Sequence, residues 1–148
     1  MKKRRILAAF LAGLLLALAG CGGVKLGKAS ECAANTRPGA ELVLLEYSPG
    51  GAVYKVVNGT GGEIYTGNED VISIEMEQEG VWYEIDVGER SFTAEAMIIP
   101  EGESGELETN WAGSYGALPK GRYRLVKGFF EEDPNAAGFT LAAEFEIK

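Results

Sequence analysis

The stretch that decides the fold is WAGSYGALPKGRYRLVKGFF, residues 111–130, which gathers aromatic and basic side chains around a proline and a glycine. Pro119 fixes its own φ and Gly121 permits a positive φ, so the chain can reverse there and enter a strand. Tyr123 follows the reversal, where its hydroxyl can reach back to the backbone near Pro119. This arrangement is the tyrosine corner of antiparallel sandwiches. We therefore predict a structural corner at Pro119, Gly121 and Tyr123.

The other segments after residue 40 predict about eight short strands, because apolar and polar residues alternate between turn signals spaced 8–12 residues apart. The predicted strands are 41–47, 52–57, 71–78, 81–87, 93–99, 103–111, one starting near Arg122, and 139–147. No convincing helical period is present. The pattern indicates an all-β, antiparallel sandwich or barrel.

Trp82 does not fit its predicted strand simply. Val81, Tyr83, Ile85 and Val87 share one face, which leaves Trp82 on the other face. A sandwich of this type often buries a tryptophan on its third strand. Either a bulge near Gly80 changes the register, or Trp82 lies on the outer face.

The N-terminus has the features of a signal peptide. Four basic residues, 2–5, precede an apolar run at 6–19, and Leu-Ala-Gly-Cys follows at 18–21. The apolar run is shorter than the roughly 20 residues of a membrane span. The last four residues resemble the lipobox of bacterial lipoproteins, which implies that Cys21 carries lipid and anchors the protein to the cell membrane on its extracytoplasmic face. The alternative is ordinary secretion, with Cys21 as a free thiol.

We predict three regions: a lipoprotein signal peptide at 1–20, a lipidated cysteine and flexible linker at 21–40, and a β-sandwich domain at 41–148. Residues 22–39 lack periodicity, and 18 such residues span roughly 20–25 Å as a coil. Cys32 lies in this linker and has no partner within the chain if Cys21 is lipidated. A disulfide between the two cysteines requires the lipobox interpretation to fail.

The charge excludes nucleic acid as a partner. Without residues 1–20, ten basic residues face 22 acidic residues, a net charge of −12. A nucleic-acid-binding surface needs a basic patch, and an anionic membrane repels this chain. Membrane attachment therefore depends on the predicted lipid, and stable anchoring needs more than one acyl chain.

Four segments carry a resemblance to a known family: residues 56–75, 77–85, 98–107 and 110–130. They contain an Asn turn at Asn58 with Gly67 beyond it, Gly-x-Trp-Tyr at 80–83, Pro-x-Gly-Glu at 100–103 and Tyr-Gly-x-Leu-x-x-Gly-x-Tyr-Arg at 115–124. The order resembles a bacterial immunoglobulin-like domain common in lipoproteins of Gram-positive bacteria. The resemblance covers about residues 41–148 and implies an immunoglobulin-like antiparallel β-sandwich of seven to eight strands without catalytic residues. A more distant likeness joins it to sandwich-folded proteinase inhibitors of bacilli.

The residue inventory argues against catalysis. The chain contains no histidine, which excludes Ser-His-Asp triads, Cys-His pairs and histidine-ligated metals. Its three aspartates are far apart and form no calcium loop. Two of the many glutamates can in principle form a glycosidase pair, but most occupy outward strand positions. We predict no enzymatic activity, no cofactor and no metal.

The candidate binding residues lie within residues 111–130 and in the loop that follows them. The acidic loop at 131–138 follows two phenylalanines, and loops on a rigid sandwich commonly carry recognition. The candidate binding residues are Phe129, Phe130, Glu131, Glu132, Asp133 and Tyr115. The alternative is a solvated connection, with Tyr115 closing a loop. Arg122, Arg124 and Lys127 either hold an anion or, as we favour, Arg122 and Arg124 pair with Glu144 and Glu146.

These observations give three functional hypotheses. The first is a monomeric, non-enzymatic surface lipoprotein whose domain binds a protein or envelope component. The second is a proteinase-inhibitor-like module at the cell surface. The third is an enzyme or a carbohydrate-binding module, and carbohydrate binding needs an exposed aromatic platform made from Trp82, Trp111 and Tyr115.

Overall fold

The computed structural model describes residues 23–67, 72–92, 95–132 and 136–148. Within these ranges it contains ten strands and one single-turn helix. The strands are β1 (Leu26–Ala29), β2 (Ala40–Ser48), β3 (Gly51–Asn58), β4 (Ile64–Gly67), β5 (Ser73–Gln78), β6 (Val81–Ile85), β7 (Ala96–Ile99), β8 (Ser104–Asn110), β9 (Gly121–Glu131) and β10 (Phe139–Ile147), and the helix is α1 (Ala112–Tyr115). The predicted all-β, antiparallel architecture is confirmed.

The strands form two antiparallel sheets. The smaller has the order β2-β3-β8, and the larger has the order β1-β6-β5-β9-β4-β7 with β10 paired to β9. The long strand β9 organises the larger sheet. One edge of β9 pairs with β10 along its length, and the other edge pairs first with β5 and then with β4.

The core lies between the two sheets. Tyr123 and Leu125 of β9 are fully buried, as are Leu107 and Trp111 on and after β8. The Phe145 ring of β10 joins the two sheets, since its centroid lies 5.5 Å from that of Trp111 and 5.7 Å from that of Tyr123. Each such buried apolar side chain contributes about 1.5–3 kcal/mol relative to exposure.

The predicted corner is present. The Tyr123 hydroxyl donates a hydrogen bond of 2.8 Å to the Pro119 carbonyl oxygen. Gly121 has a different role from the predicted one, since it is not among the glycines with positive φ. A Cβ at Gly121 would lie 2.8 Å from the terminal methyl of Met76 and 3.3 Å from the Tyr123 ring. A side chain at position 121 would therefore require the Met76 methyl to shift, so the position is limited by space rather than by backbone conformation.

The pairing of β5 with β6 shows on which face of the sheet Trp82 lies. β5 and β6 pair in regular register from Glu75–Glu84 to Gln78–Val81. The two turn residues between them, Glu79 and Gly80, have φ values of 51° and 81°, as a two-residue hairpin of type I′ requires. No bulge changes the register, so Trp82 lies on the outer face of the sheet.

The prediction of a flexible linker at 21–40 is wrong for most of residues 23–40, the part of it that the structure describes. β1 pairs with the edge strand β6, with Leu26 opposite Ile85 and Ala29 opposite Tyr83. Val24 and Leu26 pack against the core. We call residues 24–37 the N-terminal strap. Its attachment is through backbone pairing and polar side chains, so hydrophobic periodicity did not reveal it, and the folded unit begins well before residue 41.

Other strand boundaries differ by smaller amounts. β4 falls in a segment to which no strand was assigned. β5 begins at Ser73, and Val71 of the predicted strand lies outside the described ranges. β7 begins at Ala96, while residues 93 and 94 of the predicted strand lie outside the described ranges. The helix α1 is a single turn, too short for a periodic signal. Among the residues that the structure describes, no helix has the length and hydropathy to cross a membrane.

Candidate functional site

The outer face of the larger sheet has a charged cluster near β1, made of Glu75, Arg122, Arg124 and Trp82. Glu75 is only 3% exposed. Its carboxylate accepts hydrogen bonds from Nε of Arg124 at 2.6 Å and from the hydroxyl of Ser30 at 2.6 Å. The ring of Trp82 lies 4.8 Å from the Arg124 guanidinium and 5.8 Å from that of Arg122. Glu75 and Arg124 thus form an ion pair that Ser30 of the N-terminal strap covers. Arg122 stays exposed at the side of this pair.

The predicted pairing of these arginines is partly wrong. Arg122 does pair with Glu144, and it also pairs with Glu77 at 3.1 Å. The hydrogen bond to Glu144 raises the pKa of Arg122 above its ordinary value. Arg124 pairs with Glu75 on β5 instead of a glutamate on β10. The reason is that β9 has neighbours on both edges, and Glu75 stands directly opposite Arg124.

The aromatic residues of the carbohydrate hypothesis do not form a platform. Trp111 is buried, and its indole N–H donates to the Pro49 carbonyl at 2.8 Å. Tyr115 is also buried, and its hydroxyl accepts a hydrogen bond from the Ile74 amide at 3.2 Å. Trp82 is half-buried against the two guanidinium groups. Tyr115 therefore closes the core, as the structural alternative predicted.

A different surface lies at the far end of β9. Phe130 is 61% exposed and stands opposite Tyr65 on β4, which in turn stands opposite Ile98 on β7, 52% exposed. The three side chains occupy adjacent positions on three hydrogen-bonded strands. We call Phe130, Tyr65 and Ile98 the apolar row.

Two carboxylates lie near Tyr65, the middle residue of the apolar row. The hydroxyl of Tyr65 donates to Glu63 at 2.9 Å, which raises the pKa of Tyr65 above its ordinary value. The negative charge of Glu132 acts on Tyr65 in the same direction. The row is therefore an apolar strip with an acidic rim, and the Tyr65 phenol stays protonated at neutral pH.

The candidate binding residues after Lys127 lie partly in the core and partly on the surface. Phe129 is 1% exposed and stacks on Phe139 at 5.5 Å, so its side chain is unavailable to a partner. Phe130 and Glu132 are exposed. Glu131 accepts a hydrogen bond of 2.5 Å from Arg37 of the strap. Asp133 lies outside the described residues.

Sequence reasoning missed the two partners of Phe130. Tyr65 falls in a segment that Gly-rich turn signals obscured, and Ile98 belongs to an apolar run that predicts burial on both faces. Only strand pairing brings them together. Register between distant strands was not predictable here, since no short hairpin joins β4 to β7 or β9.

Metal and thiol chemistry find no support in the described ranges. No group of three acidic, cysteine or histidine side chains there is arranged to hold a metal ion. Cys32 is a half-buried free cysteine whose amide donates to the Ser30 hydroxyl at 3.2 Å.

The comparison with protein families agrees with the architecture. The family model of a bacterial Ig-like domain matches residues 45–146. No curated protein matches the chain. The matched residues include both sheets from the middle of β2 to the end of β10 and leave out the N-terminal strap, and the family supports a non-enzymatic β-sandwich module. The chain belongs to the bacterial Ig-like domain family.

Proposed function

We propose that this protein is a lipid-anchored module on the extracytoplasmic face of the membrane that binds a protein partner through the apolar row. The observation that carries the proposal is the exposure of Phe130 beside Tyr65 and Ile98. An exposed aromatic side chain on a rigid strand, with apolar neighbours on the next two strands, is typical of a protein-binding surface.

The charge around the row specifies the kind of partner. Glu63 and Glu132 lie close enough to act on the Tyr65 hydroxyl, and the chain as a whole is strongly acidic. A complementary partner has an apolar patch bordered by lysine or arginine. Such opposite charges accelerate association and select the partner more than they add affinity.

The proposed anchoring is supported by the Leu-Ala-Gly-Cys sequence at 18–21 and by the short separation between Cys21 and β1. Only four residues separate Cys21 from Leu26, so an extended chain spans about 17 Å at most. A lipid on Cys21 would therefore hold the β1 edge near the headgroups. Incorporation of radioactive palmitate into the wild-type protein, and its loss in Cys21→Ser, is the expected result. Label in Cys21→Ser contradicts the anchoring.

The binding proposal is tested in cells with a photo-reactive phenylalanine analogue at position 130. The matched control carries the analogue at Glu108, an exposed position on β8 of the other sheet. We expect a discrete adduct from position 130 and none from position 108. The identified partner is then purified, and its affinity for the wild type is compared with that for Phe130→Ser and Glu108→Ser.

We expect Phe130→Ser to weaken that affinity at least tenfold, because a central aromatic residue commonly accounts for 2 kcal/mol or more of binding. Glu108→Ser should leave it unchanged. Equal adducts from both positions, or unchanged affinity in Phe130→Ser, would show that the apolar row is not the binding surface.

A further inference from the structure

A pocket of about 490 Å³ lies on a different part of the domain and shares no residue with the apolar row. It lies between the segment after β6, the end of β8 and the helix α1. Its volume is in the range of small-molecule sites. The side chains that matter for its chemistry are Arg90, Phe92, Tyr115, Ser91, Ser114 and Asn110.

Arg90 is held in place by two rings and one backbone group. Its guanidinium carbon lies 5.0 Å from the centroid of Phe92 and 5.1 Å from that of Tyr115. One Nη donates a hydrogen bond of 2.8 Å to the Ile72 carbonyl oxygen. The cation is therefore oriented before any ligand arrives, with aromatic faces that stabilise its charge.

The guanidinium has no carboxylate partner among the described residues. The other three arginines in the described part of the chain, Arg37, Arg122 and Arg124, all form ion pairs. Glu89 lies on the pocket wall but makes no ion pair with Arg90. An oriented arginine with unused N–H groups in a pocket is the group that binds carboxylates in a planar, two-bond geometry.

We propose that this pocket binds an organic carboxylate, with Arg90 as the residue that contacts the anion. Ser91, Ser114 and Asn110 supply hydroxyl and amide groups on the wall for polar atoms next to the carboxylate. The exposed part of Phe92 supplies an apolar contact for the rest of the ligand. A peptide C-terminus and an acidic sugar both carry this chemistry.

Ligand-detected NMR titrations with the full lipidated protein in mild detergent test the proposal. The two carboxylate probes are N-acetylglycine, for a peptide source, and glucuronate, for a sugar source. Their neutral counterparts are N-acetylglycinamide and glucose, and inorganic phosphate is the third anion. We expect at least one carboxylate probe to bind in the millimolar range, and the tighter one identifies the source.

Arg90→Gln should weaken carboxylate binding at least tenfold, while Arg90→Lys retains part of it because the positive charge remains. The matched control is Lys28→Gln, which removes an exposed cation from β1 and should change nothing. Ser114→Ala, at an exposed position, should weaken binding about threefold, the scale of one neutral hydrogen bond. Thermal unfolding of each variant separates lost binding from lost fold.

Four outcomes would overturn the proposal. The first is that neither carboxylate probe binds at 20-fold the expected dissociation constant, and the second is that the neutral counterparts bind as tightly as the carboxylates. The third is that only phosphate binds. The fourth is that Lys28→Gln weakens carboxylate binding as much as Arg90→Gln does. If Arg90→Gln unfolds the domain, an unchanged affinity in Ser114→Ala and Arg90→Lys together counts against the proposal. None of these outcomes depends on the apolar row.

Discussion

The two ends of β9 present opposite surfaces on the same side of the same sheet. Near its beginning, Arg124 and Glu75 are buried beneath the N-terminal strap and form a paired network with Ser30 and Trp82. Near its end, Phe130 lies in solvent beside Tyr65 and Ile98. Charged groups are thus covered at the beginning of β9, and apolar groups are exposed at its end.

This difference separates architecture from recognition. A buried carboxylate must be paired and hydrogen-bonded to be tolerated, and the strap supplies one of those hydrogen bonds. Nothing in folding requires Phe130 and Ile98 to stay exposed on either side of the half-buried Tyr65. The covered end therefore explains how the domain is held together, and the bare end is where a partner is expected.

Among the outward-facing positions of β9, the largest effect is expected at the covered end. Arg124→Met should destabilise the domain by about 3 kcal/mol, because it leaves the Glu75 carboxylate buried without its countercharge. Urea unfolding of the purified protein, followed by tryptophan fluorescence, measures this. The double variant Glu75→Met/Arg124→Met should recover at least half of the loss. A double variant less stable than the single one would show that pairing is not what Arg124 supplies.

The strap itself is tested at Asn35. Its side chain donates to the Ala142 carbonyl and accepts from the Ala142 amide, each at 3.0 Å, and its own amide donates to the Thr140 carbonyl at 2.8 Å. Asn35→Ala should lower the free energy of unfolding by about 2 kcal/mol, since two hydrogen bonds to a buried residue are lost. Limited proteolysis at Lys25 and Lys28 should accelerate in parallel.

Asn35 also has a positive φ of 60°, which asparagine and glycine tolerate better than alanine. Asn35→Gly removes the side-chain hydrogen bonds without this strain and should be the milder change. If Asn35→Gly is as stable as the wild type, backbone conformation rather than the contact with Ala142 is what holds the strap in place.

A smaller effect is expected at the corner where β9 begins. Tyr123→Phe removes the hydrogen bond to the Pro119 carbonyl and should cost about 1 kcal/mol or more. The same unfolding experiment measures it. Because the ring stays in the core, a neutral result would mean that packing alone fixes the start of β9.

The sequence predicted the features that depend on local pattern. The alternation in β9 and β10 indicated which residues face the core, and the Pro-x-Gly-x-Tyr spacing indicated the corner. Prediction failed where attachment is by polar contacts between distant segments. The N-terminal strap has too few apolar residues for a periodic signal, yet Asn35 and Ser30 attach it to strands more than 40 residues away.

The candidate site was predicted in part for the same reason. Phe130 was identified from its neighbourhood, but so was Phe129, because composition does not distinguish the two faces of a strand whose register is unknown. Tyr65 and Ile98 join Phe130 only through pairing of β4 with β9 and β7. The Arg90 pocket is formed by three separate segments, and none of them has a sequence pattern that predicts it.

The smallest effect on stability is expected at the bare end. Phe130→Ala should change the free energy of unfolding by no more than about 0.5 kcal/mol, because an exposed side chain loses little packing. Its sequence neighbour is the positive control: Phe129→Ala empties a core position and should cost about 3–5 kcal/mol. A large loss in Phe130→Ala would mean that the apolar row supports the fold. A small loss leaves partner binding as the explanation for keeping an aromatic ring on that surface.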